Sequence, residues 1–241
     1  MTQTLRIISS MATRQLLADL IDLYQQTRQH TQRQTSPGSP PQDIAIESVG
    51  GVDAAKRVQA GEAFDIVALA SNAIDQLITA GKVVAGSRVD IVKSGVAVAI
   101  QTGAAQPDIS SEAALIQAVL AAPTVGYSTG PSGVQLAKLF ERWGIAAQIK
   151  NRIVIAPPGI PVASLIAKGE VALGFQQLSE LINQPGIVVL GPLPPAIQIT
   201  TTFSTGLAAT SVQPEAARAL MAFFASPETV GIKRRNGMEA A

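Results

Sequence analysis

Short apolar segments in this chain run repeatedly into turns of small residues, and each turn opens a stretch with helical spacing. Leu5-Arg6-Ile7-Ile8 leads into Ser9-Ser10-Met11-Ala12-Thr13, and Ile44-Ala45-Ile46 leads toward Ser48-Val49-Gly50-Gly51-Val52. Thr124 to Tyr127 leads into Thr129-Gly130-Pro131-Ser132-Gly133-Val134. A strand, a helix and a further strand close as a parallel pair with a crossover, so repetition of this unit points to an α/β fold. Each turn also leaves the first N–H groups of its helix without intrahelical partners, and the helix dipole favours negative charge there. Such turns suit an anion and need neither a metal nor a catalytic base.

The periodicity predicts the following order. A strand at Leu5 to Ile8 is followed by a helix over Met11 to Gln26, with Leu16, Leu17, Leu20, Ile21 and Tyr24 on one face. Arg28 to Asp43, rich in Gln, Thr, Ser and Pro, reads as a long polar excursion. A helix over Val52 to Ala60 ends at Gly61, a strand covers Phe64 to Leu69, and Ser71 is placed to cap a helix running to Thr79. Ile91 to Ile100, interrupted by Lys93-Ser94-Gly95, reads as a strand crossing between domains. Alternation then restarts. Helices are expected over Ser110 to Ala121, Pro131 to Trp143, Val162 to Lys168 and Gln176 to Ile182, and strands over Arg152 to Ala156, Val171 to Phe175 and Ile187 to Leu190. Pro192, Pro194 and Pro195 mark a rigid connector, Thr200 to Thr210 an extended return, and Pro214 the start of a last helix. Two such blocks imply two lobes, residues 1–95 with 200–241 and residues 96–199, each a mostly parallel sheet flanked by helices and joined by two crossing strands.

Composition narrows the chemistry. There is no cysteine, which removes thiolate catalysis and Cys-ligated metals, and His30 is the only histidine, which removes Ser-His-Asp triads and His-based metal sites. His30 falls in the polar excursion and reads as a solvated loop residue. A net charge of +1 and 4% aromatics give neither the field nor the stacking platform of a nucleic-acid binder. No apolar run approaches the roughly 20 residues of a membrane span. Met1-Thr2-Gln3-Thr4 runs directly into the first strand with no signal peptide, which leaves a cytoplasmic location open.

The candidate site residues lie in the turns. Ser9, Ser10, Met11 and Ala12 follow the first strand, and the guanidinium of Arg14 beside hydroxyls and N–H groups favours a carboxylate or oxyanion. Gly50, Gly51 and Val52 allow close approach of backbone to a ligand. Ser132 and Gly133 open a helix after a strand, without the lysine or glycine spacing of a phosphate-binding loop or dinucleotide fingerprint. Gln176 follows a strand whose carboxyl end faces the crevice where open α/β sheets bind ligands, while Ser71 and Ser94 lie at a helix start and at the lobe crossing. Glu47, Lys93 and Tyr127 are the side chains in reach for proton transfer, and they form no evident acid–base pair.

Three segments carry a resemblance: Gln59-Ala60-Gly61-Glu62-Ala63-Phe64-Asp65-Ile66-Val67, Gly130-Pro131-Ser132-Gly133-Val134 and Gly174-Phe175-Gln176-Gln177-Leu178-Ser179-Glu180. With the closing helix from Pro214 through Glu228, they resemble the molybdate-binding-like branch of the type II periplasmic solute-binding proteins. The resemblance covers nearly the whole chain. It implies two α/β lobes, a small anion in the cleft between them, no cofactor or metal, a monomer, a periplasmic location and an ABC transporter permease as partner. Two departures bear on the ligand. Molybdate binders carry serine at the position of Ala12 and a second serine in the turn that is Gly50-Gly51-Val52 here. A desolvated dianion relies on such neutral donors, so their loss favours an organic carboxylate held by Arg14. Some members of the branch are similar to aconitate isomerase, which leaves a metal-independent isomerase of an unsaturated tricarboxylate as the alternative to a receptor.

Overall fold

The computed structural model describes residues 4–35, 42–157 and 159–241. The strands are β1 (Leu5–Ser10), β2 (Ile44–Val49), β3 (Ile66–Ala70), β4 (Val89–Gln101), β5 (Val125–Ser128), β6 (Ile153–Ala156), β7 (Leu173–Gln177), β8 (Ile187–Pro192), β9 (Thr200–Leu207) and β10 (Glu239–Ala240). The helices are α1 (Arg14–Thr35), α2 (Gly51–Gln59), α3 (Ser71–Thr79), α4 (Glu112–Ala121), α5 (Pro131–Arg142), α6 (Ala146–Ile149), α7 (Val162–Ala167), α8 (Leu178–Leu181), α9 (Pro214–Phe224) and α10 (Val230–Arg235). The chain divides into two compact units, Met1–Lys93 with Thr202–Ala241, and Ser94–Thr201.

In the first unit the strand order is β2-β1-β3-β9-β4. β1 pairs parallel with β2 from Leu5↔Ile44 to Ser10↔Val49, and parallel with β3 from Ile7↔Ile66 to Ser9↔Ala68. β9 returns antiparallel along β3. Strand alternation splits the core: Leu5, Ile7, Ile66 and Ala68 pack with Leu16, Leu17 and Leu20 of α1 and with Leu220 and Phe224 of α9. Ile8, Val67 and Leu69 face the other way, onto Ala54 and Val58 of α2 and Ile74 and Leu77 of α3. The shared register ends β1, β2 and β3 at one edge, and a helical turn follows each at once.

The second unit repeats the logic in the order β4-β7-β5-β6, with β8 on β4. β5 runs parallel to β6 and β7, so these three also end at one edge. Val96, Val98, Leu173 and Phe175 pack on α4, α5 and α6; Ala97 and Ala99 pack on Val162 and Ile166 of α7 and Leu181 of α8. Gly174 lets α7 lie flat on β7, since a Cβ there would stand 2.3 Å from Ile166 Cδ1. No helix among the described residues is long and apolar enough to cross a membrane.

Several expectations are corrected. The helix after β1 does not stop at Gln26. A 3₁₀ turn over Met11–Thr13 leads into α1, which runs to Thr35 and takes in the backbone of His30. The Gln and Arg residues beyond Gln26 are good helix formers, and the first strong breakers come at Pro37 and Gly38. The rest of the expected polar excursion, 36–41, lies outside the described residues. Ser71 is the first residue of α3, not its cap; Ala70 holds the cap position and makes no side-chain bond. Gln176 and Gln177 end β7 rather than open a helix, which is confined to Leu178–Leu181. At α5 the sequence reads true: Gly130 is the N-cap and Pro131 the first helical residue.

Candidate functional site

The edge of the first unit collects most of the sequence candidates. Register places Ser9 beside Ser48, and their Oγ atoms are 2.7 Å apart. Ser9 is fully buried and also reaches the Ser10 carbonyl, so its hydroxyl is committed within the protein. Ser10 lies against the next turn: a Cβ built on Gly51 would stand 3.6 Å from Ser10 Cβ. Thr13 Oγ1 donates to the Ser10 carbonyl and tightens the turn that holds Met11 and Ala12, both half-buried. In α2 the first backbone bond runs from Ala54 N–H to the Gly50 carbonyl, leaving Gly51, Val52 and Asp53 N–H without intrahelical partners. Asp53 already supplies a negative charge in that turn. The first turns of α1 and α3 hold no acid, and Arg14 opens α1, exposed and held by no hydrogen bond or ion pair among the described residues.

At the edge of the second unit, Val134 N–H bonds the Gly130 carbonyl, so Ser132 and Gly133 offer the unpaired N–H groups of α5, whose first turn has no acid. Pro131 has no N–H to leave unpaired. Ser132 is buried, and Gly133 is the contact point between helix and strand. Gln176 is fixed differently from expectation: its Oε1 accepts from Ala163 N–H at 3.0 Å and its Nε2 donates to Glu180 Oε1 at 2.8 Å. Gln177 Nε2 donates to Thr201 Oγ1. The buried Gln177 Oε1, Ser94 Oγ and Ser179 Oγ have no hydrogen-bond partner. β4 and β7 pair Val96↔Gln177, which puts these three at one end of that strand pair.

Among the proton-transfer candidates, Glu47 is bound through both oxygens by Arg57. That hydrogen bond, against only slight burial, holds its carboxyl below the ordinary glutamate range, which makes it a poor base. Lys93 is exposed at the last position of the first unit. Burial, then the charge of Glu141, raises the Tyr127 hydroxyl. Glu180 was not singled out in the sequence. Burial pushes its carboxyl up to about 7, opposed by the Gln176 hydrogen bond. Its spacing of four residues from Gln176 is the signal that could have revealed it, but that spacing spans a strand–helix junction where neither period applies.

The raised Glu180 carboxyl has a stability consequence. Its folded value exceeds the ordinary 4.5, so its contribution is fully present below that pH and is lost as pH rises through about 7. Glu180→Gln should therefore flatten the fall in melting temperature over this window; a melting profile parallel to that of the wild type would refute the assignment. Among the described residues no group of three or more His, Asp or Glu side chains is placed to hold a metal ion.

The sequence profile of the bacterial extracellular solute-binding proteins matches residues 5–239. The chain belongs to that family. An aconitate isomerase from Pseudomonas sp. is 38% identical to this solute-binding protein over 186 residues, 76% of this chain and 70% of that one. The periplasmic molybdate-binding protein of Azotobacter vinelandii superposes with a TM-score of 0.75 at 18% identity, covering 97% of this chain and 98% of that one. The sulfate-binding protein SubI of Mycobacterium tuberculosis gives a TM-score of 0.74 at 15% identity, covering 98% and 86%. The two solved structures establish the periplasmic-binding-protein fold; the family match rests on sequence.

Proposed function

We propose that this solute-binding protein captures a small organic carboxylate. The observation that carries the reading is Arg14, which opens α1 one short turn after β1 ends, is exposed, and has no hydrogen bond or ion pair among the described residues. A guanidinium fork matches a carboxylate in geometry as well as charge. Among the hydroxyls at that edge, Ser9 and Ser48 are bonded to each other and Ser10 Oγ lies 3.4 Å from Thr13 Oγ1. A dianion stripped of water would call for more neutral donors than this. The likeness to a protein named for aconitate, a tricarboxylate, supports the same ligand class. As a receptor the protein works as a monomer outside the cytoplasm and hands its ligand to an ABC permease.

The test is a thermal-shift panel of molybdate, tungstate, sulfate, citrate, and cis- and trans-aconitate. A ligand at 100 times its Kd stabilises the fold by about 2.7 kcal/mol, a readily measured shift. Stabilisation by the carboxylates is the expected result; stabilisation by molybdate and tungstate alone would sink the reading. In calorimetry Arg14→Ala and Ser132→Ala should each weaken the bound carboxylate by roughly 10- to 100-fold, the loss of one hydrogen bond to a charged group. Unchanged affinity would remove that residue from the site.

A second reading is favoured by one observation, the 38% identity to an isomerase. In it the same carboxylate is not only held but isomerised, which an assay of cis–trans aconitate interconversion on the same sample would detect.

A further inference from the structure

The chain passes from the first unit to the second between Lys93 and Ser94, and returns between Thr201 and Thr202. β4 enters the second unit and β9 leaves it, so these neighbouring strands run antiparallel where they pass. Val96 N–H bonds the Ile199 carbonyl at 2.9 Å. Two residues back along β4 and two on along β9, Ser94 therefore stands level with Thr201, and both share the face of Val96. On the other side of β4, Gln177 pairs with Val96 and joins the same face.

Gln177, the last residue of β7, sends its amide across that face. Its Nε2 donates to Thr201 Oγ1 at 2.8 Å, although β4 lies between β7 and β9. The amide thus spans β4 beside Ser94. Gln177 and Ser94 are both buried, and neither Gln177 Oε1 nor Ser94 Oγ has a hydrogen-bond partner among the described residues. The bond to Thr201 is therefore the polar hold that this cluster makes. On the opposite face Gln198 covers Gly95: a Cβ there would stand 2.8 Å from Gln198 Nε2. Gln198 Oε1 accepts from Ile199 N–H at 2.8 Å, which fixes that side chain in turn. β4 is thus gripped on both faces as it enters the second unit. A glycine inside a strand weakens it, so stiffness at Ser94-Gly95 comes from this cover rather than from the strand alone.

When two bodies turn against each other, a few residues at the connections absorb the change in backbone angles. In this chain those residues are the ones at its two passages. We infer that the bond between Gln177 and Thr201 is a strap, running from β7 across β4 to β9, that ties both passages to the second unit. Thr201 is then a positioning residue. Freedom left in the passages has to be given up when a ligand is captured, so the strap raises affinity without Thr201 touching the ligand. The effect on affinity rests on the carboxylate reading above; the strap itself does not.

The experiment is hydrogen exchange on the whole chain, comparing the wild type with Thr201→Val and Thr201→Ser. Valine keeps the shape and removes the acceptor; serine keeps the hydroxyl. In Thr201→Val the amides of residues 92–96 and 200–203 should exchange about tenfold faster, the effect of leaving one buried donor unpaired. Those of β1 and β5 should keep their wild-type rates, and Thr201→Ser should restore both passages. Gln177→Leu cuts the bond from its other end, denies the amide any recourse to Ser94, and should give the same pattern; it decides the matter if Thr201→Val does not fold. Unchanged exchange at the passages, or a rise spread evenly over the second unit, overturns the strap. In calorimetry Thr201→Val should weaken every carboxylate of the panel that binds by one common factor, roughly threefold to tenfold. An unchanged Kd, or a factor that differs from ligand to ligand as a contact residue would give, overturns the positioning role. If no carboxylate of the panel binds the wild type, the carboxylate reading falls, and the exchange pattern still decides the strap.

Discussion

Gly133→Ala should destabilise the protein by about 3 kcal/mol or more, the upper end of what overpacking costs. A Cβ at Gly133 would stand 1.7 Å from the carbonyl oxygen of Ser128, 2.8 Å from its carbonyl carbon and 3.2 Å from Tyr127 Cδ2. The first two atoms are backbone, so no side-chain rotation relieves the clash. Ser128 is moreover paired with Ala156 across β5 and β6, which resists displacement of the strand. The remaining outcome is that α5 lifts from the end of β5. The conformation of Gly133 is not itself at issue, since it lies outside the set of positive-φ glycines. Gly130→Ala is the matched control: its Cβ would meet only Ser128 Oγ at 3.6 Å, an ordinary contact, and its φ of −71° suits alanine. For a chain of this size the loss corresponds to a melting temperature lower by roughly 6–12 °C. Equal melting temperatures for the two variants would show that the helix start is not pinned to the strand. At temperatures where Gly133→Ala is still folded, carboxylate binding should fall as well, because Ser132 moves with the turn.

The contrast between these neighbouring glycines shows what the sequence could and could not convey. That Gly130-Pro131-Ser132-Gly133 starts a helix is legible from the turn chemistry, and so is the placement of Ser10 and Gly51 at parallel strand ends. Those features are local and repeat with the period of the backbone. That Gly133 rather than Gly130 is irreplaceable depends on how close α5 comes to one carbonyl, a tertiary distance. Ser9 makes the same point. Its spacing marks it as a turn hydroxyl, but that parallel pairing with β2 sets it against Ser48 is a tertiary fact. Glu47 reads as a free carboxylate until Arg57, ten residues on, takes both its oxygens. Glu180 was hidden for the opposite reason. Its character comes from what β7, β8 and α7 lack, and the absence of a counter-charge has no local signature. The end of α1 was misread because composition suggested a loop where Gln and Arg extend a helix already nucleated and packed.

Phe140→Ala should cost about 3–5 kcal/mol, the usual range for truncating a buried aromatic ring. Phe140 is fully buried at the centre of an aromatic group, with ring centroids 6.1 Å from Tyr127, 5.8 Å from Trp143 and 6.0 Å from Phe175. The first and last of these are edge-on contacts, each a favourable addition to the buried area. The position of these partners gives the variant a functional reach. Tyr127 immediately precedes Ser128, the residue against which Gly133 is packed, and Phe175 immediately precedes Gln176, which orients Glu180. A cavity at Phe140 therefore loosens both strand ends from below. Trp143, the chain's single tryptophan, donates from Nε1 to Glu112 Oε1 at 2.6 Å, so its fluorescence in denaturant titrations reports on this group directly. Phe140→Leu, which refills most of the volume, should lose about 1 kcal/mol. If alanine costs no more than leucine, the group is not the packed support of the site. Because Tyr127 touches both the ring of Phe140 and the space a Cβ at Gly133 would enter, the losses from Phe140→Leu and Gly133→Ala should fail to add by at least about 0.5 kcal/mol. Strict additivity in that double-mutant cycle would mean that helix start and aromatic support act independently, and the coupling of core to site through Tyr127 would have to be abandoned.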